Sequence, residues 1–123
     1  FHYATFGLLN MSVSYNLFEN FVFSELVKTR FNQGLPANFY FLRDSKGIEI
    51  DCVTAQADRM NFIEIKMSAT LSATHIKNIQ SLKKLFLKTE DYVIYSGEQE
   101  PVFHNVQFIN WQNIQEKLVD YVV

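Results

Sequence analysis

Residues 62–67, Phe-Ile-Glu-Ile-Lys-Met, alternate with a period of two, which predicts a β-strand. Phe62, Glu64 and Lys66 fall on one face, and Ile63, Ile65 and Met67 on the other. Two further strands are expected just before it. Phe39–Arg43 is aromatic and apolar, and Ile48–Thr54 alternates at its start and then runs apolar. Asp44-Ser45-Lys46-Gly47 and Asp58-Arg59 supply the turn chemistry between them.

A long helix is expected ahead of the strands, from about Tyr15 to Phe31. Gln33-Gly34-Leu35-Pro36 ends it, because Gly suits a helix C-terminus and Pro cannot continue one. After the strands, a second helix is predicted from about Thr74 to Lys88, capped by Ser72 or Thr74. A strand at Tyr92–Ser96 follows, then a loop through Gly97 and Pro101, a strand at Val106–Ile109 and a helix at Trp111–Tyr121. Phe1–Met11 is a short apolar lead-in with a break at Gly7. The expectation is α/β: one mixed central sheet flanked by helices.

The length of 123 residues suits one domain with a real core. With 11 basic and 13 acidic residues the net charge is −2, which weighs against tight sequence-independent DNA binding and leaves room for a local basic face. Cys52 is the single cysteine, so no internal disulfide can form; a reducing cytoplasm permits this, and a cytoplasmic location is expected. No apolar run approaches the roughly 20 residues that span a bilayer, so no membrane partner is expected. The chain opens on Phe1 and reads as a piece of something longer, with residues 1–14 the remnant of an upstream region and residues 15–123 the domain.

The chemistry concentrates on two strands. By alternation Glu49 and Asp51 share a face with Val53, while Ile48, Ile50 and Cys52 face the other way. If this strand pairs with residues 62–67, Asp51, Glu64 and Lys66 converge, because paired strands lie only about 4.8 Å apart. Two carboxylates so placed repel, and one stays protonated unless a cation lies between them. Oxygen ligands favour hard ions such as Mg2+ or Mn2+. The competing reading is a surface ladder of cross-strand charge pairs, worth about 0.2–1 kcal/mol each.

Glu19 falls within the apolar arc of the first helix that Phe18, Val22, Phe23, Leu26 and Val27 define, so it faces the sheet and needs a partner. A salt bridge to Lys66 or Arg43, or a turn cap, are the structural alternatives. Lys77, Lys84 and Lys88 share one face of the second helix with Gln80 and Ser81; the stripe is either a solvated face or a phosphate contact. His2, His75 and His104 lack the spacing of a zinc site, and His75 is expected to cap or pack. Trp111 is expected to anchor the core.

In this order, a helix Glu, a strand Asp and a strand Glu-x-Lys, the sequence resembles the PD-(D/E)xK nuclease superfamily. The resemblance implies a restriction-endonuclease-like αβββαβ core and metal-dependent hydrolysis of DNA phosphodiesters. Asp51 matches the motif's Asp, Glu64 and Lys66 its (D/E)xK element, and Glu19 the acid that many members place on the first helix. The implied site residues are Glu19, Asp51, Glu64 and Lys66, with Asp51, Glu64 and the Ile65 carbonyl as ligands of Mg2+ or Mn2+. Ser68 stands where a small polar residue often follows the lysine, Ile50 replaces the motif's proline, and the pattern assigns no role to Glu49.

More narrowly, Phe6-Gly7-Leu8-Leu9-Asn10, Leu17 through Leu26, Gly47-Ile48-Glu49-Ile50-Asp51 and Ile63-Glu64-Ile65-Lys66 resemble the DUF4143 domain. That domain forms the C-terminal part of many prokaryotic AAA-type ATPases, which implies an upstream ATPase domain as partner. No Gly-x-x-x-x-Gly-Lys-Ser/Thr loop occurs in these residues. Two functions follow: a magnesium-dependent endodeoxyribonuclease, or a catalytically silent module of such an ATPase that binds nucleic acid or protein.

Overall fold

The computed structural model describes residues 4–8, 17–36, 39–56 and 59–118. Strands β1 (Ala4–Leu8), β2 (Tyr40–Asp44), β3 (Glu49–Gln56), β4 (Arg59–Lys66), β5 (Thr89–Tyr95), β6 (Val102–Phe103) and β7 (Val106–Asn110) form one sheet. Their spatial order is β1-β2-β3-β4-β5-β7-β6. Neighbours from β1 to β4 run antiparallel, β4/β5 and β5/β7 are parallel, and β6/β7 is antiparallel again. Helix α1 (Leu17–Asn32) precedes β2, α2 (Lys77–Leu82) links β4 to β5, and α3 (Ile114–Lys117) follows β7. The expected αβββαβ order therefore runs from α1 to β5 within a mixed sheet.

Both faces of the sheet are covered, so its central strands are apolar on both sides. Val22 and Leu26 of α1 and Ile114 of α3 pack on Cys52, Ile63, Ile65 and Ile94. On the opposite face Ile79 and Leu82 of α2 pack on Ile50, Val53, Phe62 and Val93. Each such fully buried side chain stabilises the fold by roughly 1.5–3 kcal/mol. Leu17 and Phe21, which break the apolar arc of α1, are exposed.

Local signals fix the C-terminal end of α1 and the start of the second helical segment. Gly34 takes φ +72, the left-handed conformation that ends helices. Leu35 N–H then donates to the Arg30 carbonyl at 3.0 Å. Arg30 Nε donates to the Pro36 carbonyl at 2.8 Å, and its guanidinium lies 5.9 Å from the Phe39 ring centre, which steers the chain into β2. Ser72 Oγ accepts from Thr74 N–H at 3.3 Å, the predicted cap.

Several elements differ from the sequence expectation. The lead-in does not break at Gly7 but runs through it as β1, because the Phe41 ring occupies the space a Cβ at position 7 would need. The segment expected as one helix from Thr74 to Lys88 is a 3₁₀ turn (Ala73–Ile76), α2 and a second 3₁₀ turn (Lys83–Leu85). Phe86 leaves it with extended φ −127 and ψ 151, its ring edge-on to Phe62 at 5.4 Å. Lys88 is therefore not part of the helical lysine stripe. The loop after Gly97 contains β6, joined to β7 by His104 and Asn105 at φ 49 and φ 64, the pair of positive φ values that a tight hairpin requires. Trp111–Asn113 is a 3₁₀ turn ahead of α3. Trp111, half-buried, packs against the core on the α1 face as expected, edge-on to Phe18 and Phe21. The expected helix start at Tyr15, Asp58, His2 and the last turn to Tyr121 lie outside the described residues.

Strand β3 departs from simple alternation. Tyr40 faces Val53 and Leu42 faces Ile50, so two positions on β2 span three on β3. This is a β-bulge, one extra residue that bends the strand. As a result Ile50 lies on the α2 side with Val53, not on the Cys52 side as strict alternation requires.

Candidate functional site

The bulge lies where β3 parts from β4. Their ladder runs from Gln56↔Arg59 to Cys52↔Ile63 and goes no further, whereas β4 stays paired with β5 as far as Lys66↔Tyr95. Two carboxylates bridge the parting strands. Asp51 N–H donates to Glu64 Oε1 at 2.9 Å, and Ile65 N–H donates to Asp51 Oδ2 at 2.9 Å. Each acid thus takes the place of a ladder carbonyl and satisfies a backbone donor of the other strand. In an extended strand the N–H and C=O of one residue point the same way, so the Ile65 carbonyl also faces the gap.

Lys66 completes the cluster, with Nζ 3.5 Å from Glu64 Oε2. The Glu64 side chain is only 2% exposed, while that of Lys66 is 37% exposed. Burial, then repulsion from Asp51, pushes the Glu64 carboxyl up to about 8, although the N–H of Asp51 and the Lys66 ammonium pull the other way. Asp51 is raised too, chiefly by burial; Ile65 N–H and Lys66 oppose the rise, and Glu19 and Glu49 add repulsion. The 3.5 Å contact suggests an ordinary ion pair, yet burial outweighs it. Without a cation the pair as a whole is held toward its protonated form, with Lys66 opposing the shift.

The sequence-derived residues fall as follows. Asp51, Glu64 and Lys66 come together. Glu19, in the first turn of α1, is near enough to act on the Asp51 charge. Both cations weighed as its partners are engaged by other acids: Lys66 with Glu64, and Arg43 with Glu49 at 2.9 Å. Glu49 therefore has a role in an exposed cross-strand pair. Ser68 shapes the turn after β4, its hydroxyl accepting from Thr70 N–H at 3.2 Å.

His75 was missed by reasoning from sequence. The 3₁₀ turn that Ser72 caps carries it back toward Lys66, and burial together with the Lys66 charge holds its ring below the ordinary histidine value. Its Nδ1 is buried and finds no hydrogen-bond partner among the described residues. Only the nine-residue return from Lys66 to His75 hinted at this in the sequence. Nearby, Asn78 Nδ2 donates to the Glu49 carbonyl at 3.1 Å and ties the start of α2 to β3.

As a donor set, two carboxylates and an inward carbonyl suit a hard divalent ion. Among the described residues no three His, Cys, Asp or Glu side chains cluster as ligands, so any ion here would draw on the backbone oxygen as well. Among the same residues, no helix is long and apolar enough to cross a membrane.

The model of a family described as a domain of unknown function, DUF4143, matches residues 16–114. No curated protein and no solved structure matched the chain. The matched span contains all of α1, the parting strands and the residues of the carboxylate–lysine cluster, and on that match the chain belongs to the DUF4143 family.

Proposed function

We propose that this domain is a metal-dependent nuclease of the PD-(D/E)xK type, hydrolysing DNA phosphodiester bonds in the cytoplasm. One observation carries the reading: Asp51 and Glu64 each accept a backbone N–H across the gap between β3 and β4, beside the Lys66 ammonium. A surface ladder leaves such carboxylates in solvent, whereas Glu64 is buried at a cost that only a cation or a proton offsets.

Asp51, Glu64 and the Ile65 carbonyl would hold Mg2+ or Mn2+. When bound, the ion supplies a polarised phosphoryl oxygen and a water of lowered pKa. Glu64 must release its proton to serve as a donor, and Lys66 favours that release. More than a third exposed, Lys66 also reaches outward to orient the attacking water or to offset charge on the phosphorus. Glu19 is assigned an outer role, through water. The resemblance to the C-terminal part of AAA-type ATPases extends the proposal to an upstream ATPase partner; a full-length gene product with no nucleotide-binding loop would remove that part.

The test uses supercoiled and branched DNA with Mg2+ or Mn2+. Cleavage that Lys66→Ala abolishes is expected; no cleavage in any of these conditions rejects the enzyme. A second reading, a silent module binding nucleic acid or protein, is favoured by the ligand set of only two side chains among the described residues. Calorimetry with Mn2+ separates the two. The silent module binds the ion weakly or not at all, and unchanged binding in Asp51→Ala places the ion elsewhere.

A further inference from the structure

We infer that the open groove between α2 and the β6–β7 turn binds the phosphate backbone of nucleic acid. Helix α2 turns Ile79 and Leu82 into the sheet and leaves Lys77 and Gln80 outward. Across from it stand His104 and Asn105, lifted there by their positive φ values. The groove between them has a volume of about 590 Å³.

Charge decides what fits. Acids outnumber bases in the chain, 13 to 11, yet the groove is lined by Lys77, Lys83 and Lys84 and by no acid. Lys83 is held by the buried Asp91 at 3.0 Å, which neutralises it. Lys77 and Lys84 are exposed, and neither is ion-paired among the described residues. Lys77 opens α2 and Lys84 lies in the 3₁₀ turn after it, so the two charges stand at opposite ends of the helical wall of the groove. Gln80 and Asn105 add neutral amide donors of the kind that bond phosphate oxygens.

An acidic protein partner is the competing occupant. Its interface would need a buried aromatic or apolar anchor, and no aliphatic residue, Phe, Tyr or Trp lines the groove. Position favours nucleic acid as well. Helix α2 covers the face of the sheet on which Phe62, and by alternation Glu64 and Lys66, lie. The choice of nucleic acid over other polyanions rests on the nuclease reading; the charge argument stands without it.

Fluorescence anisotropy of short labelled DNA and RNA strands, single and double, in EDTA reads binding without cleavage. Wild type is expected to bind with affinity that falls as salt rises. The Lys77→Gln/Lys84→Gln double variant should lose at least about tenfold in affinity at low salt, and its log-affinity against log-salt slope should become shallower by about 2. Circular dichroism confirms that the variant folds. The charge-matched Lys28→Gln/Lys46→Gln variant should bind like wild type. No binding by wild type, or equal losses in both lysine variants, overturns the groove. So does competition by polyglutamate as strong as by DNA of equal charge, which would mark an acidic-protein surface. Binding without cleavage in metal leaves the groove standing and removes only the nuclease reading. Cleavage with an unchanged KM in the Lys77/Lys84 variant does the reverse.

Discussion

Glu64→Gln isolates the electrostatic strain of the buried pair. Gln keeps an Oε1 that accepts the Asp51 N–H now bonded at 2.9 Å, so the bridge between the strands survives. It removes the charge that repels Asp51, and the exposed Lys66 can turn to water. In the wild type a carboxyl raised from 4.5 to about 8 makes the folded state bind a proton that the unfolded chain has already released. Stability is therefore fully present below about pH 4.5, and is lost as pH rises toward the folded value. The slope reaches about 1.4 kcal/mol per pH unit, so between about pH 5.5 and about pH 7.5 the wild type should lose ~3 kcal/mol relative to the variant. Titrating groups outside the Asp51–Glu64 pair are common to both proteins and cancel, so the difference reports the pair as a unit. Urea unfolding in EDTA, followed by the single Trp111, measures the difference. Trp111 is a suitable probe because it packs edge-on against Phe21 at 5.3 Å. Parallel pH dependence in the two proteins would show that Glu64 is not strained by burial, and the cation argument would lose its footing.

The buried Asp44 accepts Lys46 N–H at 2.9 Å and Ile48 N–H at 2.8 Å, so Asp44→Ala should cost about 2–4 kcal/mol in urea unfolding; a loss under ~0.5 kcal/mol would contradict the role given to this turn. Gly34→Ala should cost about 1–2 kcal/mol by the same measurement, since φ +72 strains any side chain; a stabilised variant would mean that α1 ends differently. His75→Leu removes a buried Nδ1 that has no partner among the described residues and should leave stability unchanged or raise it by about 1 kcal/mol; a clear loss would reveal a bond that His75 makes in solution. The Cys52 thiol is fully buried and its ionisation is pushed well up by burial, so a thiol-reactive disulfide should modify it only in denaturant. Rapid native modification would show that the α1 face opens.

In this chain, residues whose role is local were legible in the sequence. The alternation of residues 62–67 placed Glu64 and Lys66 on one face of β4 because side-chain direction in a strand is set by the backbone alone. Gly34 and Ser72 marked helix ends for the same kind of reason: a φ value and a short side-chain bond within a few residues. Where β3 bends is a different matter. The extra residue between Ile50 and Val53 exists only in register with β2, and it moves Ile50 to the opposite face from the one alternation assigns. Gly7 lies within a strand because the Phe41 ring, far along the chain, lies over it. His75 comes toward Lys66, and Lys88 leaves the lysine stripe, because α2 is cut short on either side by 3₁₀ turns, the first packed on the sheet through Ile76 and the second followed by Phe86 against Phe62. Sequence patterning thus chose the elements and the charged residues. Tertiary pairing chose which of them meet, since contacts between distant segments set registers and bulges that no local preference encodes.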